Sequence, residues 1–598
     1  MSLRRLPRAF RTLLPYWWSR LLFPARSPCA TDVGGGFWVG LAALALVAGP
    51  LLFLNLSYPL LEPDEGRYAE VVREMVTSGD WVVPTLNRVP YFDKPPLFYW
   101  LVGGSFRAFG VNEAAARLVP TSAAFLTVLA VYVFGRRVIA TRAAFLAGLG
   151  LSLTGGFVQC GRIVILDSLL TLFVTASLLT ACEAVRGERT RWAWWLTSAL
   201  CCALGVLTKG PVALVLLGPP VAAYVWLNRD AARLTLGHWA AYAGLVLGLV
   251  APAYIALIAR DPHFAYHFFV DQHLVRFLRN EYHVQPVWYY APVLLVGCLP
   301  WSLLVLPVTR FLFSRSPAVR SVRPQALGFF LLWAGWCVLF FSASRGKLPT
   351  YMLPALPAIA LVVGCYLDRV LRRASAEIHF GQDPTTVPRL AVITLCALLV
   401  ALALGTWSMH LIGAPAALVQ TGLCAACLAG AALWGRRLPL AAGWLLCGAL
   451  GAVLTGEAAD YIVPAWSYRR APLTRSEEVR ALAHDGQTHV VCYGGEWGSI
   501  PFYVGRDDLV FNCSEEGPEA ATKFFQKYPR SLLVVRHKAD LERFRGTVPA
   551  GMEITPLADA GEVRVVLVQA VASPGKGPGR GVSQPALDRP RPWTPRSN

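Results

Sequence analysis

Charged side chains are scarce in this chain. Only 15% of its 598 residues are Asp, Glu, Lys or Arg, while 55% are hydrophobic. A soluble domain carries about 25% charged and roughly 45–50% apolar residues. The shortage excludes an ordinary soluble enzyme, a disordered chain and a collagen. Cysteines in zinc-type spacing are missing too. Most of the 14 sit inside apolar runs, as Cys201, Cys202, Cys424 and Cys427 do, and read as small packing residues. There is no internal repeat. Lysine is the rarest charge: seven of 55 basic residues, with only Lys94, Lys209 and Lys347 before residue 500.

What is present is long apolar runs, the mark of a polytopic membrane protein. The 51 glycines and 43 prolines fit, because neighbouring membrane helices satisfy the backbone groups they free. The formal charge of +19 would suggest nucleic acid on a soluble protein. Here it reads as cytoplasmic loops rich in arginine, plus an anionic substrate or lipid, with no nucleic-acid partner.

The basic arm 1–35 is followed by a first span near 37–56, with no clear cleavage site after it. Further spans are expected near 118–136, 143–160, 165–185, 192–208, 211–227, 239–258, 288–309, 325–343, 350–367, 390–410, 416–434 and 440–460. That makes about thirteen transmembrane helices. Arginines fill alternate gaps: 136, 137 and 142; 186, 189 and 191; 229 and 233; 310–323; 369–373; 436 and 437. The positive-inside rule makes those gaps cytoplasmic and sends the polar loop 57–117 outside. The membrane domain is thus 36–466. Residues 467–571 read as a small extracytoplasmic α/β domain, with strands at His489–Tyr493, Ser531–Val535 and Val563–Val568 and helices at Ser476–His484 and Glu519–Tyr528. Cys492 and Cys513 could pair there in an oxidising compartment. The tail 572–598 is Pro, Gly, Ser and Arg-rich and reads as disordered.

Ionisable groups at a membrane boundary are functional candidates. The first outer loop opens Glu62-Pro63-Asp64-Glu65-Gly66-Arg67-Tyr68, where Asp64 or Glu65 could instead cap a helix. It closes Tyr91-Phe92-Asp93-Lys94-Pro95-Pro96, which suits an interfacial helix near a lipid substrate. Asp167 begins a span, as a cap, a partner of Arg162 or a functional acid. The three lysines each lie just before a proline on the outer face. A compact ammonium suits phosphate, and snorkelling at the interface is the alternative. The loop 261–285 carries His263, His267, His273 and His283 with Arg276 and Arg279. They read as polar loop residues, with a divalent metal on His273 and a carboxylate as the other option. Tyr351 is either a site residue or part of an aromatic belt.

The two first-loop motifs, with Leu207-Thr208-Lys209-Gly210-Pro211 and Gly346-Lys347-Leu348-Pro349-Thr350-Tyr351-Met352-Leu353-Pro354, resemble the aminoarabinose transferases of lipid A. These belong with the protein O-mannosyltransferases among GT-C glycosyltransferases. The resemblance runs from about residue 50 to 365 and implies an all-α GT-C membrane fold. It implies an undecaprenyl-phosphate-linked sugar donor, an envelope acceptor such as lipid A, and an outward active site in a bacterial inner membrane. It places catalytic acids at Asp64 and Asp167, with Glu65 beside them. Donor phosphate would meet Lys94 and Lys209, together with Arg67, Lys347 and Tyr351. Where the family reads Phe-Glu-Lys-Pro this chain has Asp93, one methylene shorter, so a metal bridge from Asp93 to His273 is an option rather than a requirement. No cofactor is otherwise needed. The alternative from another class is a transporter or flippase of an anionic lipid-linked sugar. It would require midplane charges and two related halves.

Overall fold

The computed structural model describes residues 36–279, 283–372, 386–409, 414–434, 440–471, 473, 476–483, 485–493, 497–505, 510–512, 518–536, 538–545, 548–549, 551–559 and 564–570. The arginine arm, Cys513 and the expected tail from 572 lie outside them.

A chain in lipid must satisfy its backbone polar groups internally, and the apolar runs do so as helices. Among the described residues seven helices are long and apolar enough to span, from Gly36–Phe53 to Ala442–Arg470. Two bent pairs, Thr141–Ser152 with Gly155–Gly161 (64°) and Val287–Gly297 with Trp301–Phe313 (107°), pass the same test together. Shorter apolar helices cover Val212–Leu227, Leu327–Ala343 and Ala417–Ala429, and Trp192–Lys209 is helical as well. Each of the thirteen expected spans therefore falls on a helix or a bent pair. The two bends nest together: a Cβ on Gly156 would lie 2.8 Å from the Gly297 Cα, and Gly155 N–H donates to the Leu299 carbonyl at 3.0 Å.

The elements that position the site are α1 (Gly36–Phe53), α2 (Asp64–Ser78), α3 (Leu97–Phe109), α4 (Glu113–Val138), α5 (Asp167–Val185), α6 (Trp192–Lys209) and α7 (Leu236–Arg260). The α5 helix is buried along almost its whole length and is the axis of the bundle. The other helices bring α5's two ends to opposite sides of the membrane domain. At one end Arg186 donates to the Arg137 carbonyl and Arg191 pairs with Glu183; Arg142 meets Asp368 at 3.7 Å in a neighbouring gap. These are the arginine-rich gaps. The other end carries Asp167, Lys209 and the first polar loop.

That loop holds α2, α3 and a hairpin of two short strands, β1 (Thr85–Leu86) and β2 (Val89–Pro90). Glu74 on α2 ties the hairpin by accepting from Thr85 Oγ1, Asn87 N and Arg88 N. The C-terminal domain is a five-stranded mixed sheet of order β4-β3-β5-β7-β6. Its strands are β3 (His489–Tyr493), β4 (Val510–Asn512), β5 (Arg530–Val535), β6 (Met552–Asp559) and β7 (Arg564–Ala570). β3 runs parallel to β4 and β5; β7 runs antiparallel to β5 and β6. β4 and β6 add to the three strands expected from sequence. A short helix of this domain, α8 (Ser499–Val504), sits against α2.

Candidate functional site

The turn into α2 separates two adjacent carboxylates. Asp64 is the first helical residue and does not cap the helix, which has no side-chain cap. Its side chain is 47% exposed and meets Arg67, one turn on, at 3.7 Å. Arg67 also bonds the buried Tyr91 hydroxyl. Glu65 faces the other way and is fully buried. It accepts from Arg117 Nε at 3.0 Å and Nη2 at 2.5 Å, and from the backbone N–H groups of Leu61 (2.7 Å) and Val164 (2.8 Å). Arg117 donates further to the carbonyls of Leu56, Tyr58 and Pro59 and stacks on the Tyr58 ring. Four donors saturate the Glu65 carboxylate. Glu65, expected beside the catalytic acids, knots the first loop to α4 and to the turn before α5.

Asp167 begins α5 without capping it, and Lys209 ends α6. Their side chains pair at 2.6 Å, and the Lys209 ammonium lies 4.6 Å from the centroid of the Tyr351 ring. Arg162 is not Asp167's partner. It goes to Asp460 at 3.0 Å and to the carbonyls of Leu54 and Asn55. The residue after Lys209, Gly210, has φ +86°, and a Cβ there would fall 2.5 Å from His273 Nε2 and 2.9 Å from Phe268 Cζ. Only glycine lets the 268–273 turn come this close.

Asp93 and Lys94 enter from the end of the first loop. Asp93 Oδ1 accepts from His267 Nε2 and from Gln272 Nε2, both at 2.9 Å. Gln272 Oε1 in turn accepts from Arg276 at 2.8 Å. Residues His267–Val275 form a π-helical turn, which puts residues five apart on one face. The imidazole that meets Asp93 is thus His267, and the expected pairing of Asp93 with His273 is not made. His273 gives Nδ1–H to the Phe268 carbonyl at 2.6 Å. Among the described residues no three His, Cys, Asp or Glu side chains converge into a metal-binding group.

The electrostatics follow from this packing. Burial alone would raise the Asp93 carboxyl, but the His267 hydrogen bond, the Lys94 ammonium and the Arg276 guanidinium hold it below the ordinary carboxylate range. The Asp93 hydrogen bond raises His267, and burial lowers His273. Burial, with the nearby cations Arg276 and Lys209, pushes Lys94 down to about 8. Lys94 donates to its neighbouring Asp93 carbonyl at 3.0 Å and to no carboxylate among the described residues. Lys347 differs: its ammonium donates to the Gln285 carbonyl at 2.9 Å and to that of Ser344. Lys347, expected on donor phosphate, ties the 344–347 turn to residues 283–285.

The structure thus gathers Asp64, Arg67, Lys94, Asp167, Lys209 and Tyr351 around the Asp167 end of α5, with Asp93, His267, Gln272 and Arg276 behind them. His267 and Gln272 escaped the sequence reading because their spacing makes sense only in a π-helix. Glu62 escaped it too. Its carboxylate accepts from Gly498 N (3.0 Å), Ser499 N (2.8 Å) and the Ser499 hydroxyl, and burial pushes it up to about 7 against those donors.

Comparison with known proteins gives a family and a fold. The sequence model of the dolichyl-phosphate-mannose-protein mannosyltransferases matches residues 37–268. Undecaprenyl phosphate-alpha-4-amino-4-deoxy-L-arabinose arabinosyl transferase 1 of Sodalis glossinidius is 31% identical over 530 residues, covering 85% of this chain and 92% of the relative. The corresponding transferase 2 of Pseudomonas fluorescens is 37% identical over 344 residues, 55% of this chain and 56% of the relative. The fold is that of ArnT from Cupriavidus metallidurans. Its crystal structure bound to undecaprenyl phosphate superposes with a TM-score of 0.67 at 22% identity, covering 89% of this chain and 98% of that one. Its apo structure gives 0.66 at 23% identity.

Proposed function

We infer the function from one premise: this chain belongs to the undecaprenyl phosphate-aminoarabinose arabinosyl transferase family and is a multi-pass membrane glycosyltransferase. We propose that its donor is a 4-amino-4-deoxy-L-arabinose carried on undecaprenyl phosphate. The acceptor is a phosphate of lipid A, and transfer takes place at the periplasmic face of a bacterial inner membrane. One observation carries the reading. Lys94 is a half-buried cation whose ammonium donates to the Asp93 carbonyl and to no carboxylate among the described residues, with Arg276 and Lys209 close enough to lower its pKa. A polyprenyl phosphate is an anion that these cations would attract. A transporter would need its charges near the midplane; here they cluster at one face.

The chemistry is an inverting displacement. An acceptor oxygen attacks the sugar anomeric carbon while the bond from that carbon to the donor phosphate oxygen breaks. Both electrons leave with undecaprenyl phosphate. Lys94, with Arg67 and Arg276 close by, meets the charge that grows on the leaving phosphate, where preorganised donors act most strongly. Lys209 is fixed by Asp167 and Tyr351, so it contributes field and shape more than a free contact. A phosphate acceptor is already deprotonated at neutral pH, so Asp64 orients it and balances charge; toward a hydroxyl it would serve as general base.

The test is transfer of radiolabelled sugar from the polyprenyl phosphate donor to purified lipid A by the detergent-solubilised protein. Label in lipid A is the expected result. Folded protein that leaves lipid A unlabelled but labels a hydroxyl acceptor would overturn the acceptor. Orientation is tested by single-cysteine labelling of intact cells: a cysteine at Ser78 should react without permeabilisation and one at Arg189 should not, and the reverse would overturn the periplasmic site.

A further inference from the structure

The outer domain touches the membrane domain where the candidate site begins. Glu62 takes three donors from Gly498 and Ser499. Two residues earlier, Leu60 N–H donates to the Tyr503 hydroxyl at 2.9 Å. About three turns later, Arg73, itself clamped by both oxygens of Glu70 at 2.7 Å, donates to the Gly505 carbonyl at 3.1 Å. Phe502 enters the apolar cluster under α2 that includes Tyr68, Tyr91 and Phe106. The contact at its centre is backbone on backbone. A Cβ on Gly66 would lie 2.3 Å from Ser499 N, and one on Gly498 would lie 2.6 Å from Arg67 N and 3.0 Å from the Pro63 carbonyl oxygen. Backbone at both sides leaves no side-chain rotation to relieve added bulk.

Asp64 and Arg67 lie inside the stretch so gripped. We propose that the 498–505 segment of the outer domain is a positioning element for sugar transfer: through Gly498 and Ser499 it fixes the backbone of residues 62–67 and so aims Asp64 and Arg67 at the reacting groups. This rests on the reading of the site given above. The donor phosphate's main cation, Lys94, lies at the far end of the same loop, outside the gripped stretch 62–67. The segment therefore governs the transfer step more than donor binding. A purely structural contact would change stability without that split. Misplacing reacting groups by about 1 Å costs on the order of 100-fold in rate.

The experiment uses the full-length protein in detergent. It measures kcat, affinity for undecaprenyl phosphate and thermal stability for Gly498→Ala, Gly66→Ala and Ser499→Ala. The control is Gly551→Ala, in the same outer domain at φ +90° with open space around the new Cβ. This control strains the domain without entering the contact. Gly498→Ala and Gly66→Ala should each lower kcat roughly tenfold or more while undecaprenyl phosphate binds within about twofold of the parent. Ser499→Ala, which removes a hydroxyl and adds no bulk, should lower kcat by a smaller factor and keeps the test open if the glycine variants do not fold. Gly551→Ala should lose stability and keep kcat. Parental kcat in folded Gly498→Ala or Ser499→Ala, or an equal loss in Gly551→Ala, overturns the proposal. An inactive parent instead overturns the substrate reading, so the two failures are told apart.

Discussion

Asp64 and Glu65 are consecutive carboxylates on one helix, and they live in opposite surroundings. The inward side of α2 carries Glu65, Glu70, Arg73 and Glu74, each held by named donors or acceptors. On the other side Asp64 has a 47% exposed side chain and meets Arg67 at 3.7 Å. A charge at a membrane boundary is costly wherever it sits. Its cost can be offset by the protein, which makes it architecture, or left for a ligand to offset, which makes it a site. The same contrast separates Lys347, held by two carbonyls, from Lys94, which has one.

The strongest way to break this contrast is to neutralise the two acids. Asp64→Asn should cut turnover roughly 100- to 10,000-fold with unchanged thermal stability, as expected for loss of an orienting or proton-handling acid. Glu65→Gln should instead destabilise the fold by about 3–5 kcal/mol, because Arg117 is left buried and uncompensated. The readouts are sugar transfer and thermal unfolding in detergent. A stable but inactive Glu65→Gln protein would put Glu65 in the chemistry.

A smaller effect should distinguish the lysines. Lys94→Ala should weaken undecaprenyl phosphate by about 1.5–3 kcal/mol, the worth of a charge-assisted hydrogen bond. Lys347→Ala should lower the unfolding temperature and leave that affinity alone. Equal affinity losses in a binding titration would erase the distinction.

Lys209 and Asp167 sharpen it further. A double-mutant cycle of Lys209→Ala with Asp167→Asn, read by thermal stability, should give a coupling of about 0.5–3 kcal/mol, since each partner otherwise leaves the other unpaired. A coupling near zero would mean that the pair forms only incidentally and that each group faces the ligand independently.

The smallest effect is in pH. Lys94 has its pKa lowered from 10.5 to about 8, so its charge is full below 8 and is lost as pH rises through 8. Affinity for undecaprenyl phosphate should fall between pH 7 and 9, and this component of the fall should be missing in Lys94→Ala. A wild-type titration flat across that window would show that Lys94 does not meet the phosphate.

Much of this was legible in the sequence because lipid leaves the chain few choices. A run of apolar residues must be a helix, and all thirteen runs fall on helices or bent pairs. Asp64, Asp167, Lys94 and Lys209 stood out as charges the composition otherwise avoids. What could not be read was which charges find partners far along the chain. Glu65 meets Arg117 across 52 positions, and Arg162 meets Asp460 across 298. His267 could be told from His273 only once the π-helical turn was seen, because an α-helical register turns Gln272 away from it. β4 is three residues long, and β6 is broken by a register shift between Pro556 and Ala558, so neither shows a clean alternation.

The Glu62 contact also has a meaning in time. Its partners lie 436 and 437 residues downstream. At about 5–20 residues per second of synthesis, roughly 20–90 seconds separate the emergence of Glu62 from that of Ser499. During that interval the later spans are still being made. The Glu62–Arg67 turn has neither Gly498 nor Ser499 against it. A nascent or C-terminally shortened chain would carry the acids and the cations of the site without the frame that aims them. On the positioning role proposed above, competence for transfer is reached only once residues 498–499 are made and docked, so the protein's N-terminal half matures last.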